Sequence, residues 1–245
     1  MTESQKKIST YLKKICSSAC LTTSNQQEQV GTVEVVVPVF NATEAVKTCI
    51  AALLNHTSPK HRITLLDDAS DDPELIIYYQ QLQSNHPQTN IIRRESNLGY
   101  LQNVNLYLND LNHAVVLLNS DTQVTAGWLD AMLAVASDSR VGMVCPLSDN
   151  ATILTLKNHK PNHIDQLQGL FKQWYPIPTA VGFCLLIKAG WWQKLGGFDP
   201  YYQPGYGEEN ELSLQLRAQG SQVACAPAAF VYHSGSASFQ QQTQT

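Results

Sequence analysis

The chain has 245 residues, 43% of them hydrophobic, enough for a sizeable core in one large α/β domain or two small ones. A formal net charge of −4 leaves no general electrostatic footprint for nucleic acid, and no nucleic-acid partner is expected. No apolar run approaches the ~18 residues that span a bilayer, and the polar opening residues carry no signal-peptide pattern, so the expected location is cytoplasmic.

Residues 1–30 are polar, and Ile8, Tyr11, Leu12, Ile15 and Ala19 recur at helical spacing among Lys6, Lys7, Lys13 and Lys14. Such a helix suits docking on the domain followed by a linker; the other expectation is peripheral contact with the inner face of a membrane. From Val33 the pattern becomes regular. Val33–Val39 is nearly all β-branched, as in a strand buried on both faces. The spacing then predicts a helix over 44–54, a strand over 63–66, a helix over 73–82, a strand over 90–93 and a helix over 100–108. A strand over 114–118, a helix over 126–136 and a strand over 141–145 complete the series. This alternation specifies a mostly parallel sheet flanked by helices, with right-handed crossovers.

After Pro146 the rhythm breaks. Residues 147–178 read as loop-rich, with Pro161, Pro176 and Pro178. A strand over 181–187 and a short helix over 189–195 follow. A Gly/Tyr/Pro-rich loop then precedes a helix over 208–218. Val223–Ala226 and Phe230–Tyr232 read as closing strands. The expected organisation is a helix and linker over 1–30, one domain over 31–238 and a disordered tail over 239–245. Of the six cysteines, Cys49, Cys145, Cys184 and Cys225 fall in core segments, and Cys16 and Cys20 lack C-x-x-C spacing, so reduced thiols are expected.

Two strands end in acids. Ala114–Leu118 runs into Asn119-Ser120-Asp121-Thr122, and Ile63–Leu66 into Asp67-Asp68-Ala69-Ser70-Asp71. Ligands of open α/β sheets sit outside the carboxyl ends of the strands, and carboxylates there suit a hard divalent cation. Asp121 has an ordinary alternative as a turn acid, but Thr125 is the better cap for the helix after it. Asp68 has one as an Asx-turn residue, a role that Asp71 or Asp72, just before Pro73, fills better.

The order of these motifs resembles family-2 glycosyltransferases with the GT-A (Rossmann-like) fold. Val36-Val37-Pro38-Val39-Phe40-Asn41 resembles that family's opening strand and turn. Leu66-Asp67-Asp68-Ala69-Ser70-Asp71 is similar to its V-D-D-x-S-x-D segment, and Asn97-Leu98-Gly99-Tyr100 to its N-x-G-[FY] segment. Asn119-Ser120-Asp121-Thr122 stands at the metal motif, Gly207-Glu208-Glu209-Asn210-Glu211-Leu212 at E-D-x-D-L, and His233 near the C-terminal edge. The subgroup that it resembles is the rhamnosyltransferase-like enzymes of bacterial surface-glycan assembly. Three departures stand out: Glu-Glu replaces Glu-Asp, Gln215 replaces an arginine, and the metal motif keeps only its last acid.

The resemblance implies a nucleotide-binding half over 31–146 and an acceptor-binding half over 147–238. It implies transfer of a sugar, with inversion, from a UDP- or dTDP-linked donor to a hydroxyl of a glycan or glycolipid. Asp121 and His233 would hold Mn²⁺ or Mg²⁺ on the diphosphate. Asp68 would accept the N3–H of the base; Pro38, Val39 and Asn41 would floor the nucleoside, with Asn97, Gly99, Asn119 and Ser120 around it. Glu209 would deprotonate the acceptor, with Glu208 in reserve. For Glu208 and Glu209 the bland alternative is an acidic first turn favoured by the helix dipole. A sugar-nucleotide pyrophosphorylase is disfavoured, because no Gly-rich basic loop follows the first strand. A non-catalytic nucleotide-sugar or glycan-binding module is the main rival, and a module of a larger glycosyltransferase assembly is compatible with the enzyme.

Overall fold

The computed structural model describes residues 6, 10–14, 21, 22, 28, 30–156, 167 and 169–235. A short strand β1 (Leu21–Thr22) comes first. The β-branched run forms β2 (Glu34–Val39), followed by α1 (Thr43–His56), β3 (Arg62–Asp67), α2 (Pro73–Asn85), β4 (Thr89–Arg93), α3 (Tyr100–Leu108) and β5 (Val115–Leu118). α2 starts as its sequence predicts: Pro73 opens the first turn, and the Asp72 carboxylate accepts from the Glu74 N–H at 2.9 Å. Strands β5, β2, β3 and β4 lie side by side in that order, all parallel. The chain steps outward from β2 to β4 and then returns past β2 to β5. That reversal opens a crevice beyond the carboxyl ends of β2 and β5.

The rest comprises β6 (Thr122–Val124), α4 (Trp128–Ala136), β7 (Val141–Leu147), β8 (Gln173–Pro176), β9 (Cys184–Ile187), α5 (Trp191–Leu195), a 3₁₀ turn (Pro200–Tyr202), α6 (Glu208–Ala218) and β10 (Gln222–His233). The parallel run does not continue from β5 to β7. β9 inserts antiparallel between them, Leu186 pairing with Val116 on one side and Val144 on the other. All four residues of β9 are apolar and buried, as a strand covered on both faces requires. The two closing strands are one strand, β10, whose register with β7 shifts between Ala226 and Phe230, around Pro227. Its first part runs parallel to β7 and antiparallel to β8; its last three residues pair antiparallel with β6.

Two expectations need correction. β8 lies inside the stretch read as loop-rich. Thr125 does not cap the following helix with its side chain: its hydroxyl donates to the Phe230 carbonyl at 2.8 Å, and Gly127, at φ 72°, takes the cap position.

Leu12 is buried and Tyr11 packs against the core, while Ile8, Ile15, Ala19, Cys16, Cys20 and the tail 239–245 lie outside the described residues. The other four cysteines are buried and form no disulfide among the described residues, and burial pushes the Cys49 and Cys145 thiols up to about 12, as inert packing groups. At the amino end of β2 lies a buried acid network that no sequence pattern signals. Glu34 accepts from the Thr64 hydroxyl at 2.5 Å and the Tyr107 hydroxyl at 2.5 Å, and its other oxygen lies 2.9 Å from His113 Nε2. Among the described residues no helix is long and apolar enough to cross a membrane.

Candidate active site

The crevice holds a cavity of about 350 Å³. Its lining comes from the ends of elements distant in the chain: Pro38 and Val39 from β2, Asp68 after β3, Asn97 and Gly99 before α3, Asn119–Asp121 after β5, Glu208 and Glu209 at the start of α6, and His233 at the end of β10.

Asp68 is 5% exposed and spans two donors. Its Oδ1 accepts from the Leu98 N–H and its Oδ2 from the Gly99 N–H, each at 2.8 Å. The Asn97 carboxamide oxygen shares the Gly99 N–H at 3.1 Å. Asp68 is therefore an anchor for the loop before α3, and an ionised carboxylate keeps lone pairs for a further donor. Gly99 sits at φ 81°, a backbone angle that glycine reaches without strain, and that explains it without a ligand. The preceding acid, Asp67, turns inward: Arg93 Nε bonds it at 2.8 Å, and Tyr79 and Ser70 donate to it.

Asp121 and His233 meet because β6 pairs with the end of β10. Thr122 stands opposite His233, and the Ser234 N–H donates to the Asp121 carbonyl at 3.0 Å. His233 Nε2 lies 3.4 Å from Asp121 Oδ1. On the other side of the ring, Nδ1 is 2.8 Å from the Asn150 carbonyl oxygen, which can only accept. Nδ1 therefore carries a proton, and Nε2 is the atom presented to Asp121. The ring stacks on Phe183, with centroids 5.1 Å apart, and its backbone N–H is held by Asp149 at 3.0 Å. Burial opposes a charged imidazole here, but the bonds to Asp121 and Asn150 and the charges of Asp121 and Asp149 outweigh it, and the pKa is raised. A carboxylate and an imidazole side by side are donors that would suit Mn²⁺ or Mg²⁺. Among the described residues no group of three or more His, Cys, Asp and Glu side chains is placed to hold a metal ion.

The two acids of α6 are not equivalent. Glu208 is 6% exposed, and its Oε2 has no hydrogen-bond partner. Burial pushes its carboxyl above the usual range and the Glu209 charge adds to this, against backbone N–H groups of Glu208 and Tyr206. Glu209 is half-buried, and its Oε2 accepts from the Gly207 N–H at 3.3 Å. Its carboxyl carbon lies 3.8 Å from where a Cβ on Gly182 would stand, so the acid packs beside Gly182 at ordinary contact distance. Gln215, in the place of the expected arginine, donates to Glu211 one turn back.

Asn41 is the one expected site residue outside the lining. Its carboxamide oxygen accepts from the Asp71 and Asp72 N–H groups at 3.1 and 3.3 Å, and its own N–H donates to Ser70 at 2.8 Å. It locks the turn after β2 onto the turn after β3, at a positive φ of 53° that asparagine tolerates. The cavity also uses Phe183, Tyr100 and Thr152, which sequence reasoning did not single out. Tyr100 follows Gly99 in the third motif and was within reach; Phe183 lies near the start of the stretch read as a strand over 181–187, which marks it as core, and Thr152 lies in the stretch read as loop-rich.

The family model for glycosyl transferase family 2 matches residues 34–196. The chain belongs to that family. A putative polypeptide N-acetylgalactosaminyltransferase 9 of Drosophila melanogaster is 26% identical over 202 residues, 72% of this chain and 31% of that protein. Polypeptide N-acetylgalactosaminyltransferase 10 of Mus musculus is 23% identical over 230 residues, 84% of this chain and 38% of that protein. The family-2 chain thus spans about a third of the length of these curated relatives. Among solved structures, GalNAc-T7 with UDP, GalNAc and Mn²⁺ superposes with a TM-score of 0.70 at 18% identity, covering 84% of this chain and 44% of that one. The mannosyltransferase PcManGT of Pyrobaculum calidifontis, in complex with GDP-Man and Mn²⁺, gives 0.66 at 17% identity, covering 97% and 65%. This family-2 chain has the single-domain α/β GT-A fold, a mixed, mostly parallel sheet flanked by helices.

Proposed function

We propose that this chain is an inverting, metal-dependent glycosyltransferase that moves a sugar from a UDP- or dTDP-linked donor to a hydroxyl of a growing glycan or glycolipid. The observation that carries the reading is the convergence, in one cavity, of the Asp68 anchor, the Asp121–His233 pair and the two acids of α6. Pro38, Val39 and the Asn119–Ser120 turn form the floor for the nucleoside. Asp68, with lone pairs left after two backbone bonds, accepts the N3–H of uracil or thymine. Asp121 and His233 hold Mn²⁺ or Mg²⁺ against the diphosphate. When bound, the cation neutralises the charge that builds on the departing nucleoside diphosphate. Glu209, half-open to the cavity, takes the proton of the attacking hydroxyl, and Glu208 is the reserve base.

The rhamnosyltransferase-like grouping, a role in surface-polysaccharide assembly and a cytoplasmic location, peripheral to the membrane through the basic segment before residue 30, extend the same reading. So does membership of a larger glycosyltransferase assembly, which fits the limited share of the relatives that the chain spans.

The test is a screen of UDP, dTDP, GDP and their sugars by thermal shift, with Mn²⁺ and with EDTA, followed by donor hydrolysis. A nucleotide at 100 times its Kd stabilises the fold by about 2.7 kcal/mol. Stabilisation by a uracil or thymine nucleotide that needs Mn²⁺, together with turnover of its sugar conjugate, supports the enzyme. Tight binding with no turnover would instead make the chain a nucleotide-sugar-binding module.

A further inference from the structure

The loop between the 3₁₀ turn and α6 holds three successive residues at positive φ: Gly205 at 140°, Tyr206 at 88° and Gly207 at 108°. Glycine enters that region freely; a tyrosine does not. Tyr206 is nonetheless there, 75% exposed, on the rim of the cavity beside Pro204 and just before Glu208 and Glu209. The loop is built. Asp199 accepts from the Tyr201 N–H at 2.9 Å, and the Gly205 N–H donates to the Tyr202 carbonyl at 2.8 Å. The Tyr202 ring fits under Gly207, 3.0 Å from where a Cβ would stand. Structured surroundings therefore hold a large aromatic face in water at an angle where glycine is the ordinary occupant. Outliers of this kind concentrate at ligand clamps.

We propose that Tyr206 is the acceptor platform, its ring stacking on the apolar face of the pyranose that carries the attacking hydroxyl. This rests on the glycosyltransferase reading above and names its acceptor class: a sugar ring, not a peptide side chain. In that reading Asp68 and the Asp121–His233 pair serve the nucleotide and the metal, whereas Tyr206 precedes Gly207 and the two acids of α6 directly in the chain and lines the same cavity. A flat sugar ring, apolar on its faces and polar at its edges, matches one aromatic face in a cavity that also holds the carboxylates of Glu208 and Glu209.

The experiment compares wild type with Tyr206→Ala, Tyr206→Phe and Tyr206→Gly in Mn²⁺. Donors are a panel of UDP-, dTDP- and GDP-sugars; acceptors are p-nitrophenyl glycosides beside Ser/Thr peptides. Wild type should glycosylate at least one glycoside. Ala and Gly should raise the glycoside KM by about tenfold more than the donor KM, and Phe by less than about threefold, since the face and not the hydroxyl does the stacking. Tyr206→Gly relieves the backbone angle and should melt no lower than wild type, separating the loss from unfolding. Equal glycoside KM values in wild type and the Ala and Gly variants, or glycoside and donor KM values that rise together, overturn the platform. So does a wild type that hydrolyses donor but glycosylates only peptides, or none of the acceptors. A wild type that neither binds nor hydrolyses any donor is a different result, removing the transferase reading and the platform with it.

Discussion

Asp121 faces His233 across 3.4 Å, and its value to the protein depends on what stands between them. Replacing it with alanine leaves one imidazole, too little to fix a divalent ion on a diphosphate. Asp121→Ala should abolish transfer and remove the Mn²⁺-dependence of nucleotide binding by calorimetry; full activity in that variant, or of wild type in EDTA, contradicts the metal role. Asp68 anchors a loop besides its proposed contact with the base, so its variants need a readout that loop anchoring would not move. Uracil N3 carries a hydrogen, whereas cytosine N3 only accepts. Wild type should prefer UDP to CDP. Asp68→Asn should lose about 1.5–3 kcal/mol of UDP binding and most of that preference, because its amide offers a donor where the carboxylate only accepted. An unchanged UDP-to-CDP ratio would leave Asp68 as an anchor alone. For the α6 acids, Glu209→Gln should bind donor normally and lose transfer by about 10²–10⁴-fold. Glu208→Gln should be milder, since a neutral amide resembles the protonated form that burial favours at that position. The reverse order of damage in kcat moves the base to Glu208.

At the level of elements, the sequence was most legible where one period ran unbroken. The helix Tyr100–Leu108 and the helix Glu208–Ala218 have the bounds that their spacing predicts. It was least legible where an element is short or its partner is remote. β6 has three residues and β8 four, too few for a two-residue period to show. β9 was visible as a strand, but its antiparallel place between β5 and β7 is a tertiary choice that no local pattern encodes. The site followed the same rule. Asp68, Asp121, His233 and the α6 acids sit at element ends marked by motifs, while the bonds that orient Asp68, from Leu98 and Gly99, and His233, from Asn150 and Asp149, come from loops. Glu34 was invisible for a related reason: inside a β-branched strand nothing signals three converging partners. Burial alone would raise its pKa, but the bonds from Thr64, Tyr107 and His113 and the His113 charge prevail, so it is lowered from 4.5. A carboxyl with a depressed folded pKa stabilises the fold above its unfolded value and loses that contribution as pH falls through the folded one. The stability gap between wild type and Glu34→Gln, from urea melts, should be widest above about pH 5 and narrow toward about pH 3. A gap independent of pH would show that the cluster acts through packing only.

For the whole molecule, the pairing of β6 with the end of β10 has a kinetic consequence. It closes a loop of more than a hundred residues, and such distant closures form late because chain entropy opposes them until the intervening structure exists. The crevice between β2 and β5 has no such dependence, since its strands and their connections lie within the first half of the chain. A refolding chain should therefore regain a nucleotide-sized cleft before it regains the means to hold a diphosphate, and catalytic competence should return with the slowest phase. Stopped-flow fluorescence of the buried tryptophans, set beside the recovery of donor turnover after dilution from urea, should show activity lagging the main signal. A fragment or a damaged copy that never seats its last strand would still have a cleft and would be silent, so turnover reports that the entire sheet has been assembled.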